Sequence, residues 1–367
     1  NAIVVHLTYV PYLAAAGELK TKPTQHSVKD LLQQGVQPDI IVCRTEHELT
    51  ESVRDKISLF CNIDRASVIQ SIDAPTIYEV PFNMLKEGLD IQVLKKLGIS
   101  AKGEPDLEKW RSFLYRLKNP LSEVNIGLVG KYVELKDAYK SISEAFIHAA
   151  AATQCRVKIR WVHSEKLEDE PEKLDEYLGG LNGILVAPGF GSRGIEGKIM
   201  AVRYAREKGI PFLGICLGMQ CAVIEFARNV IGFKDANSVE MMASTTHPVI
   251  DMMEEQKQIT NMGGTMRLGA YPCKLKADSR IYAAYQRELI SERHRHRYEF
   301  NSAYLKDFEQ AGMIATGFNP DSDLVEVVEI PSHPYFIGVQ YHPEYRSTVE
   351  EPSPLFVSFV KAANGMK

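Results

Sequence analysis

Short apolar, β-branched runs alternate along this chain with segments of helical spacing, a pattern that predicts parallel sheets assembled from strand-helix-strand units. Residues 3–10 read as a strand, 24–34 as a helix, 39–44 and 56–62 as strands, and 83–97 as a helix. A polar, proline-containing stretch over 101–123 then breaks the rhythm, although 107–117 keeps helical spacing. The boundary is expected near Asn119 and Pro120, giving a first domain over 1–118, a linker over 119–123 and a second domain over 124–367. The second part opens on a strand at 124–129, followed by a helix at 139–152 and strands at 157–162 and 183–187. A helix at 195–208, a strand at 212–215, a helix at 217–230 and late strands at 324–330 and 336–341 complete it. The fold class is α/β with two doubly wound domains, and ligands of such sheets bind at the carboxyl ends of the strands.

Composition narrows the function classes. A chain of 367 residues, 45% hydrophobic and 25% charged, has enough apolar material for two ordinary cores. A formal charge of -4 argues against a general nucleic-acid binder, because neutralising a long run of phosphates takes a basic excess. The six cysteines show no metal-ligand spacing and mostly lie in apolar runs, which points to a reducing, cytoplasmic setting. No apolar stretch reaches the length of a membrane span. The chain opens on Asn1-Ala-Ile-Val-Val-His-Leu, already strand-like and without an initiator methionine, so a preceding segment is expected.

Candidate chemistry gathers in the second part. In Gly209-Ile-Pro-Phe-Leu-Gly-Ile-Cys216-Leu-Gly-Met-Gln220 an apolar strand meets a helix at one residue flanked by Gly214 and Gly218. This G-x-C-x-G has the spacing of a nucleophile elbow, in which a sharp turn exposes the nucleophile and small flanking residues let strand and helix approach. A cysteine at a helix N-terminus is favoured as the thiolate, the attacking species. A cysteine in an apolar run is otherwise most often an inert buried hydrophobe, the reading given to Cys221. In Tyr335-Phe-Ile-Gly-Val-Gln-Tyr-His342-Pro-Glu344 a second buried strand ends in a histidine, with Glu344 close enough to reach its distal ring nitrogen and hold the tautomer. Gly183-Ile-Leu-Val-Ala-Pro-Gly189-Phe-Gly191-Ser-Arg193-Gly194 runs from a strand into a glycine-rich turn, and the Gly189 and Leu217 N–H groups are candidates for an oxyanion hole. Gly130-Lys131 and Gly197-Lys198 are near misses to a phosphate-binding P-loop, which the chain lacks.

Through Gly-Ile-Cys216-Leu-Gly-Met-Gln and His342-Pro-Glu344 the second part resembles the class I, or triad, glutamine amidotransferases, with their central, mostly parallel sheet. Lys20-Thr-Lys-Pro-Thr-Gln25, Lys56-Ile-Ser-Leu-Phe-Cys61, Gly263-Gly-Thr-Met-Arg-Leu-Gly269 and Glu292-Arg-His-Arg-His-Arg-Tyr298 extend the resemblance, over nearly the whole chain, to the CTP synthase family. One departure is Ala187-Pro188-Gly189, where the commoner amidotransferase pattern has Pro-Gly-Gly. The resemblance implies a glutaminase site with Cys216, His342 and Glu344 catalytic and with Gly189, Leu217, Gly218, Met219, Gln220, Glu240 and Arg297 holding glutamine. Arg297 suits a bidentate pair with an α-carboxylate, and Glu240 accepts from an α-ammonium. Arg193, Gly194 and Glu196, with Thr265 and Arg267, resemble the lid and loop through which GTP activates the family. Without the resemblance, the Arg/His run is a solvated basic face or a weak metal site at His294 and His296.

In the first part, Lys20, Thr21, Lys22, Pro23, Thr24 and Gln25 combine lysines, hydroxyls and a helix start, which read either as a phosphate-binding loop or as an exposed basic loop. The resemblance assigns them, with Lys56, to UTP or to the feedback inhibitor CTP, and places Ile72, Asp73 and Ala74 near the adenine of ATP. It implies ATP-dependent amination of UTP to CTP with ammonia from glutamine, Mg2+ for the phosphoryl step, GTP as activator, and a homotetramer able to form filaments. The family's P-loop and magnesium ligands are not visible here, no residue is assigned to a metal, and the chain alone is expected to hydrolyse glutamine and bind nucleotides only. Two readings compete: another triad amidotransferase or γ-glutamyl hydrolase, and a catalytically silent nucleotide-binding or assembly module.

Overall fold

The computed structural model describes residues 2–252 and 266–365. The chain divides into two compact units, Asn1–Leu107 and Glu108–Lys367. In the first, β1 (Val5–Tyr9), β4 (Ile40–Thr45) and β5 (Val68–Ile72) form a parallel sheet in the order β1-β4-β5, and β2 (Tyr12–Leu13) pairs with β3 (Glu18–Leu19) in a small hairpin. Helices Lys22–Gln33 and Glu51–Cys61 bury Val28, Ile57 and Cys61 on one face, and helices Val80–Lys86 and Leu89–Leu97 pack Met84, Leu89 and Val93 on the other. With both faces covered, β4 opens on an unbroken apolar run, Ile40 to Cys43, rather than an alternating one.

Residues 56–62 are not a strand but the second half of helix Glu51–Cys61, capped by Thr50, whose hydroxyl accepts from Val53 N–H at 3.4 Å, and ended by Asn62 at φ 53°. The run looked extended because Leu59 and Phe60 are apolar yet exposed, which blurs the helical period. The expected helix over 83–97 is broken in two at Gly88, whose φ of 74° no continuous helix accommodates.

The second unit is built on β6 (Ser122–Gly130), β7 (Cys155–His163), β8 (Gly183–Val186), β9 (Phe212–Ile215), β10 (Asn237–Ser238), β11 (Pro248–Met252), β12 (Arg267–Leu275), β13 (Leu289–His296), β14 (Tyr298–Phe300), β15 (Ile314–Phe318), β16 (Val325–Glu329) and β17 (Phe336–Val339). Nine of these form one sheet in the order β13-β12-β15-β16-β17-β9-β8-β6-β7. The run β17-β9-β8-β6-β7 is parallel, and the remainder extends it antiparallel. Helices Ile195–Lys208 and Leu217–Phe226 cover one face, and Lys140–Thr153 and Pro354–Ala363 the other, so the inner strands β8, β9 and β17 are buried on both sides. The helix expected over 217–230 stays α-helical to Phe226 and ends in a π-turn over Ala227–Ile231. Helix Glu108–Lys118 lies with this unit, burying Phe113 and Leu114 beside Lys140–Thr153, whereas the sequence reading had placed it before the boundary.

Candidate active site

Three neighbouring strands deliver the three functional segments. In the order β17-β9-β8, the middle strand ends directly before Cys216, β17 leads to His342, and β8 leads to Ala187-Pro188-Gly189. Cys216 sits at the N-terminus of helix Leu217–Phe226 with φ 52° and ψ -105°, a conformation an L-residue adopts only under strain. Its N–H donates to Val339 O at 2.7 Å, which ties the elbow to the strand bearing the base. The flanking glycines are required by contact: a Cβ on Gly218 would stand 2.1 Å from Val186 O, and one on Gly214 would stand 2.7 Å from the Gly218 carbonyl.

His342 and Glu344 are both buried, and Glu344 Oε1 lies 2.8 Å from His342 Nδ1. The residue is further fixed by its ring stacking on Tyr345 at 4.9 Å between centroids and by its backbone N–H donating to Arg293 O at 2.8 Å. Its Nε2 is buried with no hydrogen bond of normal geometry, and Cys216 is the group it interacts with on that side. Burial by itself lowers the proton affinity of the ring, but Cys216 and Glu344 outweigh it and push His342 up to about 11. Both neighbours thus favour the protonated form of the ring.

The cavity before Cys216 is about 30 Å³, lined by Gly189, Phe190, Gln220, Glu240, Met266, His296, Arg297 and Tyr298. That enclosed space is about the size of one or two waters. Glu240 Oε1 accepts from Gly191 N–H at 3.1 Å, which links the carboxylate to the glycine-rich loop. Gln220 reaches Tyr298 O at 2.9 Å and Gln340 Oε1 at 3.3 Å. Met219 is turned away, fully buried against Gly338 in the core. Gln340, whose Nε2 lies 3.7 Å from Cys216 Sγ, escaped the sequence reading, although a glutamine in an otherwise apolar strand two residues before the base was a usable signal.

Behind the wall lies a buried charge cluster. His294 Nδ1 is 2.7 Å from His296 Nε2, and each ring's other nitrogen faces a carboxylate at 3.5 Å, Glu326 for His294 and Glu299 for His296. Arg267 pairs with Glu326 at 2.7 Å and stacks over Tyr271 at 4.3 Å. Burial lowers both histidines, His294 to about 2 and His296 to about 3, and raises Glu299 to about 8 and Glu326 to about 7. Arg267 is therefore part of this interior and not of a solvent-facing lid. Thr265 lies outside the described residues. Arg193 pairs with Glu165 at 2.7 Å, Gly194 is the left-handed N-cap of helix Ile195–Lys208, and Glu196 pairs with Arg228 at 2.8 Å.

In the first unit, Thr21 and Pro23 begin helix Lys22–Gln33, Gln25 Nε2 donates to Thr21 Oγ1 at 3.0 Å, and Thr24 Oγ1 donates to Thr8 Oγ1 at 3.1 Å. Lys20 pairs with Glu18, and Lys56 also acts on that carboxylate, so the helix that replaces the expected strand brings the two lysines to one region. Asp73, one residue beyond β5, is 3.2 Å from Arg44, and both line a cleft of about 700 Å³ with Thr8, Tyr9, Pro23 and Glu46. Ile72 and Ala74 do not line that cleft.

Residues 134–362 match the glutamine amidotransferase class-I family model, and residues 1–99 match the model for the CTP synthase N-terminus. The CTP synthase of Cytophaga hutchinsonii is 65% identical over 364 residues, covering 99% of this chain and 67% of that protein. The chain belongs to the CTP synthase family. The CTP synthase of Flavobacterium johnsoniae is 61% identical over 363 residues, with 99% of this chain and 67% of the relative covered. The chain thus spans about two thirds of the length of the curated relatives it matches. Among solved structures, the glutaminase domain of Trypanosoma brucei CTPS with bound acivicin is 40% identical, with a TM-score of 0.63 over 66% of this chain and 95% of that one. Family membership makes the chain part of a ligase system with a glutamine-hydrolysing domain, and the amidotransferase match spans Gly189, Cys216, His342 and Glu344.

Proposed function

We propose that this chain releases ammonia from glutamine at Cys216 for the ATP-dependent amination of UTP to CTP. The observation that carries the reading is the strained Cys216 elbow set beside the buried His342–Glu344 pair. The sulfur attacks the glutamine carboxamide carbon, a C–S bond forms, and the oxyanion develops towards the Gly189 and Leu217 N–H groups, the latter lacking an intrahelical acceptor in the first turn. The His342 imidazolium then gives its proton to the departing nitrogen, the C–N bond breaks, and ammonia leaves. His342 next takes a proton from water as it opens the thioester to glutamate. Arg297 and Glu240, both at the cavity, hold the α-carboxylate and α-ammonium.

The nucleotide half rests on the first unit. UTP or inhibitory CTP takes the Lys20–Gln25 helix start with Lys56, and ATP takes the neighbourhood of Asp73. Mg2+ serves the phosphoryl step in the family. Among the described residues no group of three or more His, Cys, Asp or Glu is arranged to hold a metal ion. GTP activates through Arg193, Gly194 and Glu196, and the enzyme works in the cytoplasm as a homotetramer. The test is ammonia release from glutamine with and without GTP, with Cys216→Ala as control. Release that GTP increases and the variant abolishes, by at least about 10³-fold, supports the reading; equal release from both proteins refutes it.

A further inference from the structure

The two lysines that the sequence offered as near misses to a phosphate loop occupy one place in the fold, on either side of the Ala187–Gly191 loop. Lys198 is fully buried in helix Ile195–Lys208, and its Nζ donates to Ala187 O at 2.7 Å. Lys131, just past β6 and 5% exposed, donates from Nζ to Phe190 O and, at 3.5 Å, to Gly191 O. Among the described residues neither ammonium forms an ion pair. An ammonium buried without a salt-bridge partner is costly, and its hydrogen bonds to the loop carbonyls offset only part of that cost. Burial lowers Lys198 to about 8, with the nearby Cys221 acting against it, and lowers Lys131 as well.

What the two groups hold accounts for their presence. The bonds fix the carbonyls before and after Pro188-Gly189, while the next amide, Gly191 N–H, is taken by Glu240 at 3.1 Å. Gly189 N–H lies between these anchored peptide units, which constrain it from both sides. A Cβ placed on Gly189 would lie 3.5 Å from Lys131 Cε, 3.7 Å from Lys198 Nζ and 3.5 Å from Leu217 Cδ2, so both lysines and the start of the Cys216 helix meet at this one residue. We propose that Lys131 and Lys198 are positioning residues of the glutaminase reaction: they clamp the Ala187–Gly191 loop by its carbonyls, aim Gly189 N–H at the oxyanion and add positive potential there. The proposal rests on the reading of Gly189 as an oxyanion donor.

The test uses Lys198→Met and Lys131→Met in the full chain, with Lys131→Arg as the conservative variant. Each Met variant is expected to keep or raise the melting temperature. The kcat of glutamine hydrolysis falls about 10²-fold with KM changed less than threefold, because the loop moves while the α-carboxylate and α-ammonium contacts remain. An aldehyde analogue of glutamine, which forms an oxyanion on Cys216, loses affinity in the same proportion as kcat/KM, and Lys131→Arg recovers most of the loss. Unchanged kcat, or a fall in kcat with unchanged aldehyde affinity, overturns the proposal. So does a large fall in melting temperature in either Met variant, which would assign the lysines to the fold. Cys216→Ala, run alongside, keeps the two readings apart: if it still releases ammonia the glutaminase reading fails, and if it is inert while the Met variants are fully active only the clamp fails.

Discussion

At the scale of single residues, the catalytic set was legible because its chemistry demands side chains at fixed spacing: glycines two before and two after Cys216, and a carboxylate two beyond His342. Gln340, Lys131 and Lys198 carry no such spacing. Gln340 and Lys131 follow apolar strand residues and Lys198 lies in a mixed helical segment, and only the packing shows that each polar end reaches the sulfur or the oxyanion loop. Of the His294, His296, Glu299 and Glu326 cluster only the histidine pair stood out in the sequence, since the carboxylates join it only when β13, β14 and β16 are placed. It makes stability depend on pH in a defined direction. Burial, then the Glu326 charge, raise Glu299 from 4.5 to about 8 despite Arg267. Between those values the folded chain binds more protons than the unfolded one, so stability falls as pH rises through this window. The histidines act oppositely: lowered by burial, they are lost as stabilising neutral groups when pH falls below 6.5. Glu299→Gln should therefore melt progressively higher relative to the parent as pH is raised from 5 to 8, with the gap levelling above that. Thermal melts across the range check it, and a gap independent of pH would contradict the assignment.

At the scale of elements, hydrophobic pattern located most strands and helices and failed where two signals conflict. Leu59 and Phe60 are apolar but outward-facing, which gave helix Glu51–Cys61 the look of a strand, and the strand that belongs there, β5, was passed over because its later residues are only half-buried. Gly88 and Gly218 illustrate two different uses of glycine, one for a positive φ that splits a helix and one for contact. The contact case makes a sharp prediction. Gly218→Ala forces a methyl to 2.1 Å from the Val186 carbonyl, a backbone atom at the end of β8 that no rotamer change can move. Helix Leu217–Phe226 must then shift away from β8, destabilising the second unit by about 1–3 kcal/mol. It also separates Cys216 from Gly189, so labelling of Cys216 by a thiol-reactive glutamine analogue should slow at least about 10²-fold. Calorimetry together with a labelling time course checks both, and a variant that labels at the parental rate would show that the elbow tolerates a wider gap.

At the scale of the molecule, the order β17-β9-β8 is what makes a site of three distant segments, and it was not legible from local sequence. Phe336 pairs with Phe212 and Ile184 with the same residue, contacts that no window along the chain contains. The division into units follows from the same long-range pairing. All nine strands of the large sheet lie between Ser122 and Val339, and helix Glu108–Lys118 joins them by burying Phe113 and Leu114 next to helix Lys140–Thr153, with Phe113 edge-on to His148 at 6.1 Å. A chain cut to 108–367 should therefore fold and label at Cys216 as the full chain does. A chain cut to 119–367, the boundary read from the sequence, leaves that helix's footprint open to water. Two large apolar side chains lost from burial are worth roughly 3–6 kcal/mol, and for a unit of this size each kcal/mol moves the midpoint by about 2–4 °C. The shorter fragment should melt about 10 °C below the longer one, with its Cys216 labelling retained at low temperature because the elbow is carried by β9 and β17. Equal melting temperatures for the two fragments would place the boundary after Lys118 and make the helix a part of the connection between units.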